Sequence, residues 1–249
     1  DAIAAIKTEG ITSTREIQVS PGSYEEKIEV SVGSLTLRGP NSGIHGDSDN
    51  RNSEATIIPP EGEAYGIGIT ETGLDEITIE GFTVKGGTTG GIVQGSGAHS
   101  STTVNVRNNI IKVPDGGWSS HGNSIQVSGN ESTVTANYVE GTGYNYQEDN
   151  YTTTGIITNG ASSAVIKDNV VELVDEGVSE NHNGIVIGST YREYFDLPRA
   201  EDVEVKNNTV TGFTNGITVS GGVDNTEITK NELDTKEVGI ATNSFEFGD

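Results

Sequence analysis

Along most of this chain, apolar and polar residues alternate in short runs, and each run breaks at an asparagine. The recurring unit reads apolar-x-apolar-x-x-Asn-x-apolar. It appears as Val104, Val106, Asn109 and Ile111, and again around Val134, Asn137 and Val139. Further copies carry Ile166, Asn169 and Val171, then Val205, Asn208 and Val210, then Ile228, Asn231 and Leu233. An earlier copy, Ile77 to Val84, places Phe82 where the others place Asn. Between these copies falls a second motif, a small residue followed by Ile: Gly66-Ile67, Gly91-Ile92, Ser124-Ile125, Gly155-Ile156, Gly184-Ile185, Gly216-Ile217 and Gly239-Ile240.

Period-two alternation predicts strands with one buried face. The tightest spacing, 23 residues from Val205 to Ile228, suits a coil of three short strands and three turns in a parallel β-solenoid. Helical repeats of ~33–47 residues would need amphipathic stretches of period 3.6, which are absent. The expected strands are A (Val104–Val106), B (Ile110–Val113) and C (Ile125–Val127), repeated from Leu35 to Phe247, with Glu16–Val19 and Lys27–Val30 opening the first coil. The Asn is expected to sit in left-handed backbone at the A-to-B corner, with its side chain in a ladder between coils. The Gly before each strand-C Ile marks a second tight corner.

At the N-terminus, Asp1 to Ile6 is followed by Ile17-Gln-Val-Ser-Pro21-Gly-Ser-Tyr24-Glu-Glu26 and by Leu35-Thr-Leu-Arg-Gly39. With the repeat, this opening resembles the right-handed parallel β-helix proteins of the pectate-lyase-like superfamily. The resemblance implies an all-β, single-stranded, right-handed parallel β-helix of three strands per coil and about eight coils, ~40 Å long, behind a short N-terminal capping helix. It says little about activity, because this fold hosts lyases, hydrolases, esterases, adhesins and phage tailspikes. The expected organisation is one domain over 1–249 with a cap at 1–15.

Coils longer than the minimum carry insertions. Three (112–121, 140–152 and 172–182) leave the B-to-C corner of consecutive coils, and a fourth (188–202) leaves the next C-to-A corner. They hold half of the chain's aromatic residues: Trp118, Tyr144, Tyr146, Tyr151, Tyr191, Tyr194 and Phe195. The outward positions of strand C are Val93, Gln126, Ile157, Val186 and Thr218; those of strand A are Asn105, Thr133, Val165, Glu204 and Glu227. Strand A reads as solvated and strand C as covered, by its own loops or by a ligand. Aromatic rings beside carboxylates and amides suit sugars, whose C–H faces stack on rings while their hydroxyls take hydrogen bonds. The expected ligand residues are those seven aromatics with Gln126 and Arg199. The same rings could equally serve to anchor long loops.

Composition adds constraints. The chain holds 37 Asp and Glu against 14 Lys and Arg, a formal net charge of −23, with 31% hydrophobic residues and no Cys or Met. Such a charge disfavours nucleic-acid and anionic-membrane partners. No cysteine means no disulfide framework and no zinc-thiolate site, and no apolar run of ~18 residues is present to span a bilayer. An acidic, Lys-poor surface matches a halophile, where molar salt screens the repulsion. A start at Asp1 without Met leads to the expectation of a processed or trimmed product with any targeting signal outside these residues.

Catalytic candidates are the carboxylates Glu140, Glu172 and Asp175, for a glycosidase pair. Arg192 is the candidate for the Lys or Arg base that the resemblance implies in lyases. His121-Gly-Asn-Ser-Ile125 and His182-Asn-Gly-Ile185 are loosely similar to the Gly-His-Gly strand of polygalacturonase-type hydrolases, but the Asp-Asp pair and Arg-x-Lys of those enzymes are missing. The sequence therefore favours binding over catalysis. No cofactor is expected unless it is calcium, for which Asp47 and Asp49 offer oxygen ligands; a turn with Asx bonds is the preferred reading. Sequons stand at Asn130, Asn150 and Asn207. The alternation running to Asp249 without a cap predicts more chain, a homotrimer partner or a flanking domain at that end.

The reading that results is an extracellular, cell-surface or virion carbohydrate-binding β-helix of a halophile, with a polysaccharide or cell-surface glycan on the strand-C face between the loops. A polysaccharide hydrolase or lyase in the same groove is the first alternative. A structural rod, adhesin stalk or spike is the second.

Overall fold

A computed structural model describes residues 2–9, 15–71, 73–95, 101–112, 122–142, 153–175, 182–188, 200–220 and 222–243. Each coil contributes one strand to each of three parallel eight-stranded sheets, A, B and C. The result is a right-handed parallel β-helix of three strands per coil, opened by one short helix, Ala2–Glu9. The first coil contains a strand the sequence pattern missed, Gly22–Tyr24, which pairs with Ala55–Ile57 to start sheet B.

Inward rungs stack like on like. On sheet A, Ile17, Leu37, Ile79, Val106, Val134, Ile166, Val205 and Ile228 are in register. Sheet B stacks Ile57, Val84, Ile111, Val139, Val171, Val210 and Leu233. Most are fully buried. A narrow prism needs few large side chains to fill it, so low hydrophobic content is compatible with a packed core. The Gly-Ile motif has a steric cause: a Cβ on Gly155 would lie 2.4 Å from Val171 Cγ1 and 2.6 Å from the Gly184 carbonyl oxygen. The sheet-B valine of the next coil already occupies that space.

The A-to-B corner corrects one expectation. The left-handed residue is the one before each ladder asparagine: Asn108, Ala136, Asp168, Asn207 and Lys230 all have φ between 53 and 58°. The ladder asparagines Asn109, Asn137, Asn169 and Asn208 are buried, Asn231 is half-buried, and all bridge coils through their side chains. The backbone N–H of Asn137 donates to Asn169 Oδ1 (3.0 Å), and Asn137 Nδ2 donates to the same oxygen (3.0 Å) and to the Val106 carbonyl (2.9 Å). Asn109, Asn169 and Asn208 repeat this pattern, and Phe82, at the head of the column, donates its N–H to Asn109 Oδ1. Corner donors that water would otherwise have to reach are satisfied inside the wall.

A second device was not foreseen. The segment Pro40–Glu54 leaves the A-to-B corner of the second coil and runs as a strap along the same corner of later coils. Gly43 N–H donates to Asn108 Oδ1, Gly46 N–H to the Ala136 carbonyl, and His45 Nε2 to the Asp168 carbonyl (2.6 Å). Since His45 Nδ1 accepts the Asp47 N–H (3.1 Å), the proton is assigned to Nε2. Arg51 locks the strap: its side chain is 7% exposed, and its guanidinium forms a forked pair with Glu54 (2.7 and 3.1 Å) and donates to the Ile44 and Asn108 carbonyls. Arg51→Ala should lower the unfolding free energy by about 2–3 kcal/mol, because buried acceptors lose a charged donor. Arg51→Lys should recover less than half, a point charge being unable to serve the fork and the carbonyls together. Chemical denaturation of the three proteins checks both.

Candidate functional site

The strap gives sheet B a wall on its A side. On the opposite side, the chain leaves sheet B after Lys112, Thr142 and Asp175 and re-enters in sheet C at Asn123, Thr153 and His182. In three consecutive coils the chain therefore leaves sheet B at adjacent rungs of one corner. These rungs lie ~4.8 Å apart.

Between these edges the outward face of sheet B presents two parallel rows. The first is Ile110, Tyr138 and Val170, in register and half-buried. The second is Lys112, Glu140 and Glu172. Lys112 Nζ pairs with Glu140 Oε1 at 2.9 Å, and Tyr138 donates its hydroxyl to Glu172 Oε2 at 2.8 Å. Burial, then the hydrogen bond to Glu172 and the charges of Glu172, Glu140 and Asp47, push the Tyr138 hydroxyl well above its ordinary range. Tyr138 is therefore a protonated donor throughout the neutral range, and Glu172 an acceptor. An apolar row beside a polar row is the arrangement that a sugar ring's two kinds of surface require.

Glu140 and Glu172, two of the three candidate carboxylates, are register partners on neighbouring strands. Asp175 is the last residue of the next-coil strand and lies opposite Thr142. Sequence reasoning missed Lys112 and Tyr138. The signal was available, since Tyr138 directly follows a ladder Asn and so must point outward, and Lys112 sits two residues past an outward Ile.

The sheet-C face divides in two. Val93, Gln126, Ile157, Val186 and Thr218 form one outward row, as expected. Ile157, Val186 and Thr218 are nevertheless only 6, 2 and 1% exposed, so the protein's own chain covers them. Gln126 is half-exposed, donating Nε2 to the Gln94 carbonyl and accepting from Asn123 Nδ2. Farther along, Asn183 Oδ1 accepts from Asn215 and Thr218. His182 is buried against Thr153 Oγ1, which makes it part of the wall. The outward row of sheet A follows the expected register, with Asn105, Thr133, Val165, Glu204 and Glu227 in line.

Trp118, His121, Tyr144, Tyr146, Tyr151, Tyr191, Arg192, Tyr194, Phe195, Arg199 and the sequon Asn150 lie outside the described residues. Asp47 and Asp49 are exposed turn residues on the strap, and among the described residues no group of three or more His, Asp or Glu is placed to hold a metal ion. The sequon at Asn130 is woven into the wall: Asn130 Oδ1 accepts the Ser162 N–H, and Ser132 is fully buried, accepting the Val104 N–H. Asn207 is exposed, with its Nδ2 donating to Asp168 Oδ1. No described helix is long and apolar enough to cross a membrane.

No protein-family model matches the chain, and no curated protein matches it. Among solved structures, an alginate lyase from Paenibacillus sp. str. FPU-7 is similar with a TM-score of 0.43 and 11% identity over 95% of each chain. The A-module of a mannuronan C-5 epimerase from Azotobacter vinelandii gives a TM-score of 0.30 and 18% identity, over 96% of this chain and 74% of that one. The catalytic unit of a thermostable α-1,3-glucanase from Streptomyces thermodiastaticus gives 0.30 and 12%, over 92% of this chain and 62% of that one.

Proposed function

We propose that this β-helix is a glycan-binding protein of a high-salt, extracellular or virion surface, and that the sugar lies along sheet B between the strap and the three insertions. The twin rows support this most directly: Ile110, Tyr138 and Val170 offer an apolar floor, while Lys112, Glu140 and Glu172 offer donors and acceptors at one strand spacing. The insertions that start from the same rungs carry Trp118, Tyr144, Tyr146 and Tyr151 in sequence. The sheet-C face is the weaker place for a ligand, because much of it is already covered. A neutral glycan suits the trough better than a polyuronate, since the protein carries −23 and Lys112 is already paired with Glu140.

The register of Glu140 on Glu172 favours a second reading, hydrolysis. Neighbouring strands hold such a pair about 4.8 Å apart, near the ~5–5.5 Å of a retaining glycosidase. One experiment addresses both readings. The protein, with Trp118 as its only tryptophan, is titrated in molar salt with neutral glucan and mannan oligosaccharides and with oligouronates, while new reducing ends are assayed in parallel. Binding should change the fluorescence and weaken about tenfold or more in Tyr138→Ala, as expected for the loss of a stacking ring. Release of reducing ends that disappears in Glu172→Gln would establish the hydrolase. No response to any oligosaccharide would sink the proposal and leave a structural rod.

A further inference from the structure

We infer that the sheet-B trough is closed at one end and takes the terminus of a glycan chain, an inference that rests on the glycan reading of that trough. In the first outward row, Thr83 precedes Ile110, Tyr138 and Val170 in register, and Thr209 follows them. The two threonines have opposite surroundings. Thr83 is 6% exposed, whereas Thr209 is half-buried like the apolar residues before it.

The base of the strap covers Thr83. Arg51 Nη2 lies 3.5 Å from the carbonyl oxygen of the preceding residue, Phe82, and the same guanidinium forks onto Glu54, which leads into strand Ala55–Ile57 of sheet B. Burial pushes the Glu54 carboxyl up, but Arg51 and the hydroxyl of Thr83 outweigh it and hold the group below its ordinary range. A charged pair, with side chains 7 and 25% exposed, therefore stands over the floor about 4.8 Å before Ile110. A sugar ring cannot take that place without breaking a largely buried ion pair, which is strongly unfavourable.

The opposite end has no such barrier among the described residues. The farthest tether of the strap is His45 on Asp168, and at the same corner one coil later Asn207 is exposed. On the other side of the sheet, Thr211 is joined to sheet C by Gly212, Phe213 and Thr214, and Phe213 is fully buried. The floor runs on over Thr209 and Thr211, both half-buried, whose hydroxyls suit a chain passing toward the last coil. Charge adds a direction. The second row reads Lys85, Lys112, Glu140, Glu172, Thr211 and Asp234, so both lysines stand at the closed end and the carboxylates toward the open one. The terminal sugar lies on Ile110 beside Lys112, and the rest of the chain extends over Tyr138, Val170 and Thr209.

The test keeps the protein intact and varies the probe. Linear neutral gluco- and manno-oligosaccharides in a ladder of chain lengths are titrated in molar salt, and the complexes are weighed by sedimentation equilibrium. Each series is repeated with the reducing end converted to the alditol, and again with a benzylidene acetal on the non-reducing end. One protein should bind per chain at every length. One of the two end modifications should weaken binding about tenfold or more, because the altered terminus no longer fits the closed end; which one does so identifies the terminus that enters. Several proteins on each long chain, or equal affinity for unmodified and both end-modified chains, would overturn the inference and leave the glycan reading standing, with the chain threading through the trough. Absence of binding by every probe would remove the glycan reading and this inference with it.

Discussion

Asn169→Ala should lower the unfolding free energy by about 4 kcal/mol and the melting temperature by roughly 10 °C or more. Asn169 is 1% exposed. Its Oδ1 accepts the N–H and the Nδ2 of Asn137, and its Nδ2 donates to the Val134 carbonyl (2.8 Å) and to Asn208 Oδ1 (2.9 Å). Alanine removes all four bonds and leaves the Asn137 N–H and the Val134 carbonyl buried without these partners, in a wall too tight for water. Each such orphan costs about 1–3 kcal/mol. Asn169→Asp should be worse at neutral pH, because a buried carboxylate keeps the acceptor but turns a second negative oxygen on Val134 O and Asn208 Oδ1. That excess should shrink as the pH falls and the carboxyl is protonated. Asn231→Ala, at the half-buried end of the column, should cost less than half as much as Asn169→Ala. Equal losses at the two positions, in thermal and urea unfolding, would show that the ladder does not carry stability in proportion to its burial.

Desalting should have the largest effect. The fold stacks like charges in register: Glu204 beside Glu227 on sheet A and Glu140 beside Glu172 on sheet B. A pair of charges 4 Å apart in water interacts by about 1 kcal/mol, and a total of −23 sums many weaker, longer-range repulsions. In molar salt the screening length is ~3 Å, and at 0.01 M it is ~30 Å, comparable with the whole solenoid. Transfer from molar salt to tens of millimolar should therefore loosen or unfold the protein, with the melting temperature falling by roughly 10 °C or more. Partial relief exists where opposite charges alternate, as in Arg38–Glu80–Arg107 across three coils. The regions rich in unpaired acids should open first. Unchanged circular dichroism and melting across that range would refute the high-salt reading.

Solenoid architecture was legible in the sequence because each coil obeys the same two local rules, alternation along strands and an asparagine at one corner. Register follows from them, so the sequence alone specifies the outward rows of sheets A and C. The left-handed position was placed one residue too late, because Asn tolerates that backbone and also fits a ladder; only geometry separates the two roles. The strap escaped for a different reason. Its Asp47-Ser-Asp49-Asn50 sequence looks like a ligand loop, while its anchor, Arg51 reaching the Asn108 carbonyl 57 residues away, is a long-range contact with no local signature. Tyr138 and Lys112 carry no motif of their own in the sequence; only their register on the outward face of sheet B brings them beside Glu140 and Glu172.

The column of carboxamides has an electrical sense. Every ladder oxygen faces the N-terminal coils, and every N–H and Nδ2 bond to the next rung points toward the C-terminal ones. Five side-chain dipoles from Asn109 to Asn231 are thus aligned head to tail, and each polarises the next. Their sum runs opposite to that of an α-helix, whose positive pole is at its N-terminus. Here the positive pole emerges at the last coil, and Glu232, the residue after Asn231, stands beside it. Part of the acidity at this end therefore offsets a field that the fold itself generates.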